Sequence, residues 1–257
     1  MTVPRRARWS AAVLAAAVVL TACGSSGTTA TTHPPAAGPR TTYVAVGGSD
    51  DIGGGTDDPL LDAWTQQFFR RSLPLDTVFV NAAEPGSTVA EALTDQAPLA
   101  HTSEATVVTV WLVSADLLDG TPAPAYARQL LQLLTALRTG GTTQVLVGNV
   151  PPLTQLPGYP ACLGGATRVD RGFRCPTTLP DATALQTDIA AYDQAIAADA
   201  ARSGAILVDL GQAVSASSSG GAAAFLDPSG AGLSTAGSAL VARTFGAALP
   251  ATTGHTA

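Results

Sequence analysis

The segment 42–54, "TYVAVGGSDDIGG", joins a short apolar run to a turn rich in glycine and aspartate. Residues 42–47 have the continuous apolar character of a strand covered on both faces of a parallel sheet. Ser49 follows at once, on a turn of the kind that exposes a serine hydroxyl and directs backbone N–H groups at a ligand. The segment predicts a strand–turn–helix unit with Ser49 as candidate nucleophile; a plain glycine- and aspartate-rich loop is the alternative.

The rest of the chain alternates strand-like and helical patterns. Further strand candidates cover 76–81, 105–113, 143–150 and 205–210, and helical patterns cover 60–71, 87–96, 123–138, 181–204 and 234–249. This alternation implies a parallel sheet with helices on both faces, so we predict an α/β protein with one three-layer α/β/α sandwich domain. Ligands of such sheets bind at the carboxyl ends of the strands, where Ser49 is expected.

The composition excludes several classes of function. The 257 residues carry a formal net charge of −6, and all 13 basic residues are arginine. The absence of lysine excludes a Ser–Lys dyad, a Schiff-base lysine and a P-loop lysine. The acidic balance argues against nucleic-acid binding, which needs a basic face. We predict no cofactor.

The first 22 residues have the features of a signal peptide. Three arginines precede the short apolar core "AAVLAAAVVL", and "LTAC" at Leu20–Cys23 resembles a bacterial lipobox. This resemblance implies export, cleavage before Cys23, lipidation of its thiol and anchoring to the outer face of the cell membrane. The alternative is an ordinary signal peptide with a coincidental cysteine.

The remaining chain is divided into a tether, a domain and a tail. Residues 23–41 are rich in Gly, Ser, Thr and Pro and predict a flexible tether. Residues 42–249 carry the alternating elements, 250–257 are expected to be a disordered tail, and we expect a monomer. Cys162 and Cys175 have only each other as partners in an oxidising compartment, so we predict a disulfide and no metal site.

Four segments resemble the sequence blocks of the SGNH/GDSL hydrolases, a family of serine esterases and lipases. They are "VGGSDDIGGG" (46–55), "VNAAEPGSTVAEAL" (80–93), "VVTVWLVSADLLDG" (107–120) and "LDPSGAGLSTAGSAL" (226–240). The resemblance extends over nearly all of residues 42–249. It implies the SGNH hydrolase fold, with a flavodoxin-like five-stranded parallel sheet, and ester hydrolysis by a serine nucleophile.

Two site positions of the family are kept in this chain. Ser49 occupies the position of the nucleophile, and the resemblance implies an oxyanion hole formed by the backbone N–H groups of Ser49 and Gly86. For Gly86 the alternative is a structural glycine that precedes a helix N-cap at Ser87.

Three other site positions are replaced. The family's asparagine, a third oxyanion donor, is replaced by Ala115, whose methyl group cannot donate a hydrogen bond. Alignment on "LSTAG" places the histidine base at Gly232 and its orienting acid at Ser229. If Asp227 is taken as the acid, the base position falls on Gly230. Neither alignment supplies an imidazole.

No other side chain is an obvious replacement for the missing base. His33 lies in the tether, His255 lies in the tail, and His101 precedes the third strand, at the edge of the sheet opposite the predicted site. The remaining candidates are the acids Asp50, Asp51, Asp116 and Asp227. A carboxylate with an ordinary pKa of ~4 is a poor base for a serine hydroxyl, and the first two acids are expected to cap the turn.

Loss of the base alone can lower kcat by ~10⁶ in a serine hydrolase. The sequence therefore favours a weak or inactive hydrolase that acts as an envelope binding protein for a small ester, acyl or glycan ligand. The alternative is an active esterase that uses Ser49 with a non-standard base, such as Asp227 through a water, or His101. A third class is a structural or interaction protein of the envelope with no small ligand.

Overall fold

The structure is a computed structural model that describes residues 40–138, 141–166, 174–217 and 222–250. The predicted signal peptide, Cys23 and its lipid, the tether up to residue 39 and the tail beyond residue 250 lie outside the described residues. Within these ranges, no helix is both long enough and apolar enough to cross a membrane.

Five parallel strands form one sheet in the order β2-β1-β3-β4-β5. They are β1 (Thr42–Gly47), β2 (Val78–Asn81), β3 (Val107–Trp111), β4 (Gln144–Gly148) and β5 (Ile206–Val208). In the register, Tyr43 of β1 lies between Phe79 of β2 and Val107 of β3. The predicted parallel, flavodoxin-like sheet is confirmed. The strands after β1 are shorter than predicted because apolar residues beyond their ends, such as Val113, are buried in loops.

Helices connect the strands on both faces of the sheet. The α-helices are α1 (Pro59–Asp62), α2 (Trp64–Ser72), α3 (Val89–Glu91), α4 (Ala97–Thr102), α5 (Ser114–Leu118), α6 (Ala123–Leu137), α7 (Tyr159–Leu163), α8 (Ala182–Ser203), α9 (Leu210–Ala216), α10 (Ala222–Phe225) and α11 (Thr235–Ala248). Two short 3-10 turns cover Ser49–Ile52 and Leu153–Gln155, and a π-helical turn at Ala92–Gln96 joins α3 to α4. Helices α2 and α11 pack together on one face, and α6 and α8 pack on the other.

Two helix boundaries differ from the sequence prediction. The pattern over 60–71 is interrupted at Ala63, whose ψ of 137° is extended, so α1 and α2 are separate helices. The helix predicted from Ser87 begins at Val89, because the N-cap is Thr88, whose hydroxyl and the Glu91 carboxylate form a capping box.

Aromatic side chains hold the two helical layers on the sheet. Trp64 of α2 stacks on Phe245 of α11, with ring centroids 4.6 Å apart, and both side chains are fully buried. On the other face, Tyr126 of α6 stacks on Tyr192 of α8 at 4.0 Å. Such pairs contribute ~0.5–1.5 kcal/mol beyond the burial of their area. The sheet is thus fixed from both sides, and its carboxyl edge forms a rigid base for the loops above it.

Cys162 and Cys175 form a disulfide across 13 residues of sequence, with their Cα atoms 5.4 Å apart. Closing a loop of this length removes entropy from the unfolded chain and stabilises the fold by ~3 kcal/mol in the loop-closure account. The bond begins in α7, whose Pro160 lies against the loop that contains Gly230.

Candidate active site

The carboxyl edge of the sheet brings three of the four sequence blocks together. Ser49 begins the 3-10 turn after β1, Gly86 lies in the loop after β2, and Ala115 lies in α5 after β3. These residues line a crevice with a volume of about 30 Å³, to which Trp111 and Ala231 also contribute. We call this cavity the Ser49 crevice. One water needs ~10–15 Å³ of such volume, so the crevice accommodates a group of only a few heavy atoms.

Ser49 and Gly86 are in direct contact. The backbone N–H of Gly86 donates a hydrogen bond to the Ser49 hydroxyl oxygen, at an N···O distance of 3.3 Å. Gly86 has a φ of 77°, in the left-handed region that favours glycine. The two interpretations of Gly86 are therefore compatible, since the conformation that requires a glycine is the one that directs its N–H at the serine. The N–H of Ser49 has no partner within its turn, because Ser49 is the first residue of that turn.

Gln96 holds the end of β1 beside the Gly86 loop. Its buried side-chain amide accepts from the Gly47 N–H at 2.9 Å and donates to the Gly47 carbonyl at 3.0 Å. The same amide nitrogen lies 3.0 Å from the Ser87 hydroxyl oxygen and donates to it. One side chain thus links the residues that precede Ser49 to the residue that follows Gly86. Sequence reasoning missed Gln96, because a single polar residue on a helix gives no signal of its partners.

Asp51 stabilises the turn that contains Ser49. Its carboxylate accepts from the Gly48 N–H at 3.0 Å, as expected of a capping residue. A Cβ at Gly47 would lie 2.1 Å from the Asp51 carboxyl carbon, so only glycine fits at position 47. Burial and the neighbouring carboxyl of Asp50 raise the pKa of Asp51 well above its ordinary value. Asp51 therefore stabilises the turn through its hydrogen bond, and its side chain does not line the crevice.

The third block places an alanine methyl group at the crevice. Ala115 lines the cavity with only 8% of its surface exposed. The next residue, Asp116, is buried and accepts a hydrogen bond from the Val89 N–H at 2.8 Å. Burial raises the pKa of Asp116 to about 6. This acid therefore joins α5 to the start of α3, and its side chain is not among those that line the crevice.

The fourth block forms a loop that borders the crevice through Ala231. The Asp227 carboxylate accepts from the Ser229 hydroxyl at 2.8 Å and from the Ala231 N–H at 3.1 Å, so it braces its own turn. Gly230 has a φ of 72°, and a Cβ there would lie 2.7 Å from the Pro160 side chain. A Cβ at Gly232 would instead lie 3.6 Å from Asp50 Oδ1. Of the two alignments, the geometry favours Gly232, because its Cβ would lie beside an acid that lines the crevice.

Asp50 is the acid that lines the Ser49 crevice. Its Oδ1 is shielded from solvent and has no hydrogen-bond partner among the described residues. Burial raises the pKa of Asp50 to about 7, and the nearby Asp227 carboxylate adds to this effect. A hydrogen bond from the Leu233 backbone lowers the pKa and offsets part of the rise. The expectation that Asp50 caps the turn with an ordinary pKa is therefore wrong, because the fourth block covers this side chain.

Of the three histidines, His33 and His255 lie outside the described residues, and His101 lies away from the crevice. His101 is in α4 and lines a separate cavity with Thr106 and Thr143, which precede β3 and β4. It therefore lies at the opposite edge of the sheet, as the sequence indicated. Among the described residues, no cluster of His, Cys, Asp and Glu has the geometry to hold a metal ion.

Solved structures of esterases and lipases share this architecture. A lipase/acylhydrolase from Enterococcus faecalis superposes with a TM-score of 0.58 at 17% identity, over 82% of this chain and 97% of that one. A lipase from a goat rumen metagenome gives 0.59 at 15% identity, over 81% and 97%. A family 3 carbohydrate esterase from Clostridium thermocellum gives 0.56 at 14% identity, over 80% and 93%. At these identities the likeness shows the fold alone.

Sequence comparison gives the family directly. A search of curated protein sequences finds no significant match. The family model described as GDSL-like lipase/acylhydrolase matches residues 45–240, which include all the strands except the first three residues of β1. The match extends over most of the chain and includes Ser49, Gly86 and the loop that borders the crevice. This chain therefore belongs to the GDSL-like lipase/acylhydrolase family.

Proposed function

We propose that this protein is an exported lipoprotein that binds a small acyl ester in the Ser49 crevice and hydrolyses it slowly or not at all. The observation that carries the proposal is the hydrogen bond from the Gly86 N–H to the Ser49 hydroxyl, in a crevice that no imidazole of the described residues lines. The donor supports recognition of a carbonyl oxygen. The lack of an imidazole supports a low rate, since removal of the base alone can cost ~10⁶ in kcat.

The size of the crevice supports a small acyl group as the part that enters it. A volume of about 30 Å³ suits an acetyl group, and the carrier of that group would lie outside the crevice. The Clostridium thermocellum neighbour is a carbohydrate esterase. The acyl group of the ligand therefore has two possible carriers, a simple alcohol or a sugar, and the experiment includes both.

The test measures binding and turnover in the same sample. Trp111 lines the crevice, so its fluorescence is expected to change saturably when ethyl acetate or an O-acetylated sugar is added. For ethyl acetate we expect a Kd on the order of 1 mM, because a ligand of six heavy atoms buries little surface. NMR of the same sample is expected to show the ester intact over the titration.

Matched variants separate the proposal from its alternatives. Ala115→Leu fills the crevice and is expected to abolish the fluorescence change, whereas Asp76→Asn, at an exposed residue before β2, is expected to keep it. Rapid release of acetate that disappears in Ser49→Ala would instead support an active esterase. A fluorescence change that Ala115→Leu leaves intact, or no change with either ligand, would support the structural protein.

The lipoprotein part of the proposal makes a separate prediction. We expect the wild-type chain, expressed in a bacterium that processes lipoproteins, to partition with the membrane fraction and to incorporate a labelled fatty acid. Cys23→Ala is expected to lose the label, because lipidation requires the thiol. The control is Cys162→Ala, which removes a cysteine outside the lipobox and is expected to keep the label. Equal labelling of wild type and Cys23→Ala would contradict the anchor.

A further inference from the structure

Asp50 is a half-buried acid that lines the Ser49 crevice, and none of the family's site positions described above falls on it. Its Oδ1 is shielded from water and has no hydrogen-bond partner within the described ranges. Unpartnered buried oxygens are costly, and where they occur in native structures they point to a ligand, a proton or a reaction. Asp50 also lies 3.6 Å from the position that a Cβ would take at Gly232. The carboxyl group is therefore next to the position at which the family has its imidazole.

The other acids considered as bases accept hydrogen bonds and do not line the crevice, although the Oδ1 of Asp51, like that of Asp50, is buried without a partner among the described residues. The Asp227 carboxylate is engaged by Ser229 and by the Ala231 N–H. Asp116 accepts from the Val89 N–H, and Asp51 accepts from the Gly48 N–H. Of the four acids, only Asp50 lines the crevice that contains Ser49. Its position at the crevice therefore selects Asp50 from the four acids.

We propose that the Asp50 carboxylate takes the proton of the Ser49 hydroxyl, directly or through one water in the crevice, and so replaces the missing imidazole. The crevice volume of about 30 Å³ is enough for such a water. The proposal deepens the proposed function, since it assigns a base to the slow turnover of the same small acyl ester.

The reaction balances with the groups that are present. The Ser49 oxygen bonds to the ester carbonyl carbon as its proton passes to the Asp50 carboxylate, and the Gly86 N–H donates to the developing oxyanion. The protonated Asp50 returns the proton to the alkoxide as the C–O bond breaks, which leaves an acyl-serine. Water then attacks the carbonyl carbon of this intermediate and loses its proton to Asp50. The bond between the acyl carbon and Ser49 Oγ breaks as Asp50 returns that proton to Oγ, which releases the carboxylic acid and free Ser49.

The charges around Asp50 suit this role at neutral pH. The charged group that raises the pKa of Asp50 is Asp227, from the loop of the fourth block, whereas the neighbouring Asp51 has its own pKa raised by Asp50. Burial is the larger cause, and burial and Asp227 together raise the pKa of Asp50 to about 7. A base with a pKa near the working pH is the most effective, because it combines the correct protonation state with affinity for the proton. This is the range in which an unperturbed histidine acts.

The test follows the reactivity of Ser49 in the full chain as a function of pH. A fluorophosphonate that carries a small alkyl group phosphonylates an activated serine, and we expect its rate of reaction at Ser49 to rise with pH through a midpoint near 7. Asp50→Asn is expected to lower this rate at pH 8 by ~10²-fold, the scale of a general base, and to remove the midpoint. Asp76→Asn, the same change at an exposed acid, is expected to keep both the rate and the midpoint.

Three results would overturn the assignment. These are a wild-type chain that does not react at any pH, an Asp50→Asn variant that keeps the midpoint, and equal losses in Asp50→Asn and Asp76→Asn. The unfolding midpoint of each variant shows whether a lost rate reflects a lost fold. Binding of ethyl acetate, measured through Trp111, is independent of these rates. If binding is present and Ser49 is unreactive, the proposed function stands and the role of Asp50 falls.

Discussion

Ala115→Asn, Ser229→Asp and Gly232→His together are expected to raise the Ser49-dependent hydrolysis of p-nitrophenyl acetate by at least ~10³-fold. The triple variant restores two catalytic groups: a base contributes up to ~10⁶ to kcat, and one oxyanion donor contributes ~10²–10³. The expected gain is well below their product because introduced groups are less precisely held than evolved ones, and because residues of one catalytic unit are not additive. The measurement is kcat/KM of the triple variant against wild type, each corrected by its Ser49→Ala counterpart.

The structure has room for these three side chains. Gly232 is not among the glycines with a positive φ, so a side chain causes no backbone strain there. Its Cβ would lie 3.1 Å from the Gly55 nitrogen, so the Gly55 loop must yield by a few tenths of an ångström. Ser229 is exposed, and Ala115 already faces the crevice. The triple variant is therefore expected to fold.

Two controls show whether the imidazole is responsible. The double variant Ala115→Asn/Ser229→Asp has the donor and the acid but no imidazole, so its gain over wild type should not exceed ~10²–10³, the value of one donor. The second control, Ala115→Asn/Gly230→His, tests the other alignment, in which Asp227 is the acid. It is expected to be no faster than Ala115→Asn alone, because position 230 has a φ of 72° and a Cβ there lies against Pro160. A folded triple variant no faster than the double variant would show that Gly232 is not the base position.

The fold could be predicted from the sequence because its signals are local. The apolar run before Ser49 and the later alternation of patterns give parallel strands, and β1 has the predicted bounds. The positions of Ser49, Gly86 and Ala115 follow from the same topology, since the carboxyl ends of β1, β2 and β3 are neighbours in the sheet.

The state of Asp50 could not be predicted in this way. Its burial comes from a loop about 180 residues further along the chain, where the Leu233 backbone and the Asp227 carboxylate lie near it. The role of Gln96 has the same origin, because its partners at Gly47 are 49 residues away in sequence. Local patterns specify which elements form, whereas the pKa of an acid depends on which loops cover it.

The stability of the folded protein is expected to fall as the pH rises from 4 to 7, opposite to the trend in proteins whose acids are paired. Asp50 has an ordinary pKa of 3.8 when the chain is unfolded and about 7 when it is folded. Between these values the folded state holds a proton that the unfolded state has lost. The contribution of Asp50 is therefore fully present below pH 3.8 and is lost as the pH rises through 7. Asp116, raised to about 6, acts with the same sign.

The size of this effect makes it measurable by urea unfolding. A pKa shift of this size in one acid changes the free energy of unfolding by on the order of 4 kcal/mol between the unfolded-state pKa and the folded-state pKa. Asp50→Asn removes the titrating group, so the free energy of unfolding of this variant should depend less steeply on pH. At pH 8 the variant should be more stable than wild type, which must bury a charge beside Asp227.

The exposed acid Asp76 is again the control, this time for the pH dependence of stability. Asp76→Asn removes one acid from the surface, and its stability should follow that of wild type at every pH. If Asp50→Asn also follows wild type, Asp50 does not titrate between pH 4 and 7 in the folded protein. The carboxyl group would then be ionised at neutral pH without cost, and its affinity for the Ser49 proton would be too low for the role of base. The stability curve and the reactivity of Ser49 therefore test one property of this carboxyl group by independent means.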